Sequence, residues 1–403
     1  MSDVDKAITP EDQVELGVRD RSKEMEIEVE VEEENLDLEE FEQMEDGTIM
    51  FGAPTPPVDN TDFYSNLAEE LDSSELSVIK NDLMANVDSD KDSRSDWEKT
   101  YREGLEQLGM KYEERTQPFE GASGVMHPLL AESVTQFQAQ AYNELLPSQG
   151  PVKTQVLGMT TAESEQQASR VQEFMNYQLM QVMKEYDSET DQMLFYLPLS
   201  GSAFRKVYYD QNLDRAVSKF IPSEDLIVPY SATDLHSATR ITHVIDMSLN
   251  DIKKLQQVGF YRDVNISMGN IMADDYDEIQ EEIDELQGVS PNYNDTDTCK
   301  VYEIHTELDI LGFEDLDSEG EPTEIKLPYI VTIANDKVLS IRRNYKETDP
   351  LKQRINYFVH YKFLPGLGFY GFGLTHMIGG LSKASTSILR QLIDSGTLSN
   401  LPA

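Results

Sequence analysis

Asn356–Asn400, NYFVHYKFLPGLGFYGFGLTHMIGGLSKASTSILRQLIDSGTLSN, is the stretch on which the reading of the fold turns. Val359, Tyr361 and Phe363 alternate with His360 and Lys362, which is strand periodicity, and Pro365-Gly366 ends the run. After Phe372 the residues Leu374, Met377, Ile378, Leu381, Ile388, Leu389 and Leu392 recur at helical spacing, which predicts one long helix with an apolar face. Gly379-Gly380 weakens its first turns. Between strand and helix, Gly366-Leu367-Gly368-Phe369-Tyr370-Gly371 is a literal G-x-G-x-x-G, the position and spacing of a dinucleotide fingerprint. Phe369 and Tyr370 argue against that use, because their rings would crowd the approach of a pyrophosphate to the backbone amides. The fingerprint also needs a second parallel strand ending in an acidic residue, and here the helix follows instead. The favoured reading is a packing turn whose glycines let two aromatic rings sit over neighbouring backbone.

Working back toward the N-terminus, the sequence reads as β structure. Tyr329–Ile333 and Val338–Ile341 form a hairpin about Asn335-Asp336, and Val301–Ile310 alternates as a half-buried strand. Phe204–Tyr209 and Ala216–Ile221 make a second hairpin, with short strands at Leu226–Val228 and Arg240–Asp246. Ser248 caps a helix carrying Leu249, Ile252, Leu255 and Val258. An acidic insertion at 272–298 is partly helical through Ile279, Ile283 and Leu286.

Upstream of residue 200 the period turns helical. Phe63, Leu67 and Leu71 make one short stripe; Leu76, Ile79, Leu83 and Val87 make another, followed by a polar loop over Asp88–Arg94. Ser95 and Glu98 read as a capping box for a helix with Trp97, Tyr101, Leu105 and Leu108, closed by Gly109. A helix after Pro128 carries Leu130, Val134, Phe137, Ala141 and Leu145. Its other face, with Gln136, Gln140 and Asn143, is polar but uncharged, which suits contact between subunits as well as it suits solvent. Val152–Leu157 reads as a short strand, and Thr161–Tyr186 as the longest regular helix, with a core stripe of Val171, Phe174, Met175, Leu179, Val182, Met183 and Tyr186. Residues 1–58 alternate Glu with Met, Ile and Val and end in a proline-rich run, which predicts a mostly disordered acidic tail.

Composition excludes more than it identifies. A net charge of −43 over 403 residues is too acidic for a protein that grips nucleic acid by neutralising phosphates. The charge is uneven. Residues 1–50 are strongly acidic and Ala273–Thr298 has acids and no base, whereas bases outnumber acids from Ile341 onward, Arg342, Arg343, Lys362 and Arg390 among them. That basic excess offers a complementary contact to an acidic part of a neighbouring copy. The single cysteine, Cys299, allows no disulfide framework and no cysteine-based zinc cluster, and fits a reducing compartment such as bacterial cytoplasm. No run approaches the ~18 apolar residues of a membrane span. There is no phosphate-loop motif of the G-x-x-x-x-G-K-[ST] type and no G-x-S-x-G elbow, so no catalytic residue, metal site or cofactor is assigned.

The pattern F-Y-G-F-G-L at 369–374, the helix with R-Q-L-I-D-S-G-T at 390–397 and the following Asn-X-Pro resemble the portal (head-to-tail connector) proteins of short-tailed, P22-like bacteriophages. Asp96–Gly109, Val125–Gly158 and Gly201–Asp246 are similar to the same family and come in its order. The resemblance implies a virion protein that is not an enzyme. It implies a ring of identical subunits, usually twelve, at one capsid vertex, with double-stranded DNA passing through. The implied partners are other copies of the chain, the large terminase subunit, major capsid and scaffolding proteins, and tail adaptors. It implies an α+β fold: the acidic tail over 1–58, a helical part of a wing over 59–200, a β-rich wing over 201–370, and a helix over 371–403 leading toward a stem. Stem, clip and crown elements, with the channel-lining and terminase-contacting residues, are expected beyond residue 403. The candidate interface or structural residues are Gln136, Gln140, Asn143, Phe369, Tyr370, Arg342, Arg343 and Arg390. The competing readings are a nucleotide-binding enzyme using the Gly366–Gly371 loop, and another virion structural or adaptor protein without a channel.

Overall fold

A computed structural model describes residues 62–108, 115–210, 213–266, 278–289, 298–316, 321–323 and 325–400. The acidic tail over 1–58, the helix stop at Gly109 and most of the acidic insertion lie outside the described residues. The rest is α+β, with antiparallel sheets and a long C-terminal helix. The helices are α1 (Ser73–Ser93), α2 (Ser95–Glu106), α3 (Leu129–Leu145), α4 (Ala162–Tyr177), α5 (Tyr186–Ser200), α6 (Leu249–Gln257), α7 (Glu278–Gln287) and α8 (Leu374–Asn400). The strands are β1 (Ser202–Asp210), β2 (Arg215–Ile221), β3 (Leu226–Ile227), β4 (Arg240–Ser248), β5 (Thr298–Leu308), β6 (Leu327–Ala334), β7 (Lys337–Arg343) and β8 (Phe358–Lys362).

They form two sheets, of order β2-β1-β8 and β3-β4-β5-β6-β7. The β6–β7 hairpin turns at Asn335-Asp336, both with positive φ as a tight two-residue turn requires. The five-stranded sheet is covered on one side by α1, through Leu76, Leu83 and Val87 against Ile304, Val331 and Ile341. On its other side Ile252 of α6 and Tyr261 meet Val301, Ala334 and Leu339. The three-stranded sheet carries Phe204, Ile221 and Phe358 on one face, while Ala203 on the other meets Met193, Leu194 and Leu197 of α5. Lys206 of β1 and Glu303 of β5 join the two sheets through a 2.6 Å ion pair, and Glu303 also holds Nε2 of buried His305 at 2.7 Å. Burial works to raise the Glu303 pKa, but the Lys206 ammonium and the His305 hydrogen bond outweigh it and hold the carboxyl well below the usual range.

Five local expectations are corrected. Asp88–Ser93 is helix, not loop, because Asp90 is buried and paired with Arg240 of β4 at 2.7 Å, which anchors the last turns of α1. Phe63, Leu67 and Leu71 are not an α-helix but flank a single 3-10 turn at Leu67–Glu69, capped by the Asn66 side chain. Glu98 does not complete a capping box with Ser95. It pairs with Nε of Arg94, whose Nη1 and Nη2 donate to the carbonyls of Ser223, Leu226 and Glu224. Val152–Leu157 is an extended strap but not a strand: its polar groups are taken by α4, Val152 N and O by Asn176 and Thr154 by Gln172 and the Ala168 carbonyl. The long helix over Thr161–Tyr186 is two, because the turn at Gln178–Val182 is π-helical and the chain bends at Met183 before α5 begins. The longest helix among the described residues is α8.

Candidate functional site

The junction between β8, the glycine-aromatic loop and α8 is built around Ser202. Its hydroxyl accepts from the Gly371 amide at 2.8 Å and lies 3.1 Å from His360 Nε2. Gly201 has φ +85, the left-handed cap that ends α5, and its carbonyl accepts from Phe363 N at 3.0 Å. Here three glycines let two chain segments touch backbone to backbone. A Cβ on Gly371 would lie 2.5 Å from the Gly201 oxygen, and one on Gly373 would lie 2.5 Å from the Leu199 oxygen. A Cβ on Gly201 would strike Gly371 and Gly373 in return.

Both loop aromatics point into the protein. Phe369 is buried, 4.7 Å from the His360 ring and stacked at 5.9 Å on Phe204. Tyr370 stacks on Trp97 of α2 at 4.5 Å. The amides of Gly371, Phe372 and Gly373 are engaged by Ser202 Oγ, the Leu364 carbonyl and His376 Nδ1. The amides that lead into α8 are therefore spent on fixing the direction in which it leaves the body.

The apolar-face expectation for α8 is corrected in an informative way. Leu374 and Ile378 pack beside Tyr101, Leu130 and Leu199, but Met377, Leu381, Ile388 and Leu392 are 58–69% exposed. The buried edge is instead small and polar: Thr375, Gly379, Ser382, Thr386 and Asp394. Thr375 Oγ1 donates to the Leu199 carbonyl, Thr386 Oγ1 accepts from His127 N, and Asp394 Oδ1 accepts from Ser123 N at 2.7 Å. Small residues allow α2 and the 122–128 segment to approach closely; a Cβ on Gly104 of α2 would meet Thr375 Oγ1 at 2.5 Å. The steps of four, three and four from Thr375 through Gly379 and Ser382 to Thr386 are visible in the sequence. A pattern of large apolar residues does not mark them.

The first half of a second expected core stripe is also at the surface, whereas Met183 of that stripe is buried and Leu179, Val182 and Tyr186 are half-buried. No residue of α4 is buried, and Val171, Phe174, Met175 and Tyr177 are exposed, as are Leu157 and Met159 at the tip of the strap. The physical reason is that the α4 face turned toward the protein, Ala168, Gln172 and Asn176, is occupied by the polar strap.

The other candidate residues do not converge on one site. Gln136, Gln140 and Asn143 are exposed together on one face of α3, with Gln136 donating to Glu132 Oε1 and Asn143 to the Ala139 carbonyl. Arg342 donates to the carbonyls of Tyr64 and Phe260, and Arg343 to that of Phe63, so both fasten the 62–66 segment and its neighbours to β7. Arg390 Nε donates to the Val125 carbonyl at 2.8 Å and supports α8 from the same side as Asp394. Replacing Asp394 by Ala strands a buried amide, and the expected cost is about 1–3 kcal/mol in urea unfolding. A loss within ~0.3 kcal/mol would show that the contact does not hold α8 in place. Among the described residues no group of His, Cys, Asp and Glu could hold a metal ion, and no helix is long and apolar enough to cross a membrane.

Residues 203–403 match the family model described as Phage SU10 portal protein, a match that spans both sheets, the loop and α8. No curated protein matches the chain.

Proposed function

The chain belongs to the phage SU10 portal protein family, a portal of podovirus type and hence a virion component, and from that premise we propose that its copies close into a ring at one capsid vertex. The ring would serve as the DNA entry and exit channel, as the docking point for the large terminase subunit, and as the seat of the tail adaptors. It would contact capsid and scaffolding proteins on assembly in the host cytoplasm. A ring of twelve follows from the family resemblance. The observation that supports self-assembly is the row of apolar side chains along α8. Met377, Leu381, Ile388 and Leu392 stand in water on a helix rigidly seated on the body, where a protein that stayed alone would carry polar residues.

The role is mechanical. Net charge −43 per copy disfavours a tight grip on phosphates, so DNA would slide past acidic walls without a trapping position. The loop at 366–371 reads as a structural hinge pin between sheet and helix, with Phe369 and Tyr370 packed into the protein and the Gly371 amide held by Ser202. The protein at micromolar concentration is expected to sediment as closed rings and to appear as annuli in negative stain. A monodisperse monomer in light scattering would overturn the reading, and filled particles without a channel would favour a virion adaptor instead.

A further inference from the structure

We propose that α4 of one copy docks along the exposed apolar edge of α8 of the next copy, so that the two helices form the two unlike halves of one head-to-tail interface. This inference rests on the ring reading and adds which surfaces make it.

The observations are four. First, the chain carries two separate helical faces with exposed apolar rows, Val171, Phe174 and Tyr177 on α4 and Met377, Leu381, Ile388 and Leu392 on α8. Second, the two rows suit helices that pack at a shallow angle, with i±3 ridges of one in i±4 grooves of the other: Met377, Leu381, Ala384 and Ile388 step by four, three and four, and Val171, Phe174 and Tyr177 by three and three. Third, the charges are compatible. In α4 the acids Glu163, Glu165 and Glu173 stand against Arg170, whereas the one acid of α8, Asp394, is buried on the far edge; the α8 bases are held within the chain, Lys383 by Glu103 and Arg390 by the Val125 carbonyl. In a chain this acidic, an exposed helix face without an acid is the surface on which an acidic helix meets least repulsion. Fourth, α4 is held by its own strap and the π-helical turn, leaving its outer face free of the body.

Two unlike faces on one chain make a heterologous contact, the kind that closes into rings when its rotation divides the circle. Two copies of one face would make an isologous pair and stop at a dimer. Only the first arrangement uses both rows at every position of a ring.

The test is cross-linking of the full chain with a short bismaleimide, using Phe174→Cys and Ile388→Cys. Both positions are exposed, and the native Cys299 is buried, so the parent protein serves as the unreactive control. Mixing the two single variants is expected to give a covalent dimer that neither gives alone, and the double variant a ladder of higher multimers. A dimer from Phe174→Cys alone would replace the proposal by an α4–α4 contact. A double variant that yields only a fast-migrating internal loop would place α4 against α8 of its own chain and overturn it. Rings that form without any 174–388 cross-link would reject the docking surface while leaving the ring intact; absence of any association would reject both. In sedimentation, Phe174→Glu is expected to lower the apparent association constant roughly tenfold or more. Unchanged association would count against the proposal as firmly as a missing cross-link.

Discussion

Gly201→Val is expected to lower the unfolding free energy by about 3–5 kcal/mol, which for a domain of ordinary stability leaves little folded protein. Two effects add. The residue sits at φ +85, where a side chain with a Cβ costs about 1–2 kcal/mol and a β-branched one more. Its Cβ would also meet backbone atoms of Gly371 and Gly373, which cannot swing aside as a side chain end can, and overpacking of this kind costs about 1–3 kcal/mol. The contrast lies in the same region. Gly380 of α8 is exposed, with nothing within 4 Å of an added Cβ, so Gly380→Ala should stabilise by about 0.5–1 kcal/mol through helix propensity alone. Urea midpoints of the two variants should move in opposite directions. A Gly201→Val protein within ~1 kcal/mol of the parent would mean that the α5–loop seam is loose, and α8 would then have no fixed direction.

The fold was legible wherever period and burial agree. The two hairpins, the α6 helix capped by Ser248 and the strand-turn-helix over Asn356–Asn400 follow from alternation and turn residues. The α+β class followed from them. What failed was the inference from an apolar stripe to a core. Val171, Phe174, Ile388 and Leu392 have the spacing of buried residues, and a single sequence does not distinguish a stripe buried by its own chain from one left for another molecule. The buried edge of α8 was illegible for the converse reason: Thr375, Ser382, Thr386 and Asp394 look solvated until the carbonyls and amides they bond are known. Long-range ties such as Arg94 to the Ser223–Leu226 carbonyls and Lys206 to Glu303 join residues over a hundred positions or nearly so apart, and no local pattern marks them. The Gly366–Gly371 fingerprint shows the opposite hazard, a motif whose spacing is right while its two aromatic rings are packed into the protein and its last amide is held by Ser202.

Lowering the pH from 7 to 4.5 is expected to cost the wild-type protein stability that a His243→Phe variant keeps, by about 2 kcal/mol at pH 4.5. Burial holds His243 at a pKa of about 3, with the Lys206 ammonium pushing the same way, and its Nδ1 has no hydrogen-bond partner. The unfolded chain protonates this histidine near pH 6.5 and the folded chain does not. The contribution is therefore complete above about pH 6.5 and is lost as pH falls toward 3, at up to ~1.4 kcal/mol per pH unit. His360, held at about 3 by burial beside Lys362, acts with the same sign and touches the site directly. Ser202 Oγ already accepts from the Gly371 amide, so its hydroxyl hydrogen is available to a neutral Nε2 of His360; protonation removes that acceptor and sets two donors against each other. Glu303 contributes in the same direction only lower, as pH falls below its ordinary value near 4.5, so the window from 6.5 to 4.5 isolates the histidines. The opposing effect is general: approaching the sequence pI near 4.3 relieves self-repulsion and should stabilise the compact state. That relief is common to parent and variant, so the difference between their urea midpoints across the window carries the histidine contribution alone. Parallel profiles would show that His243 is hydrated in the folded protein, and the acid sensitivity of the Ser202 seam would then rest on His360 by itself.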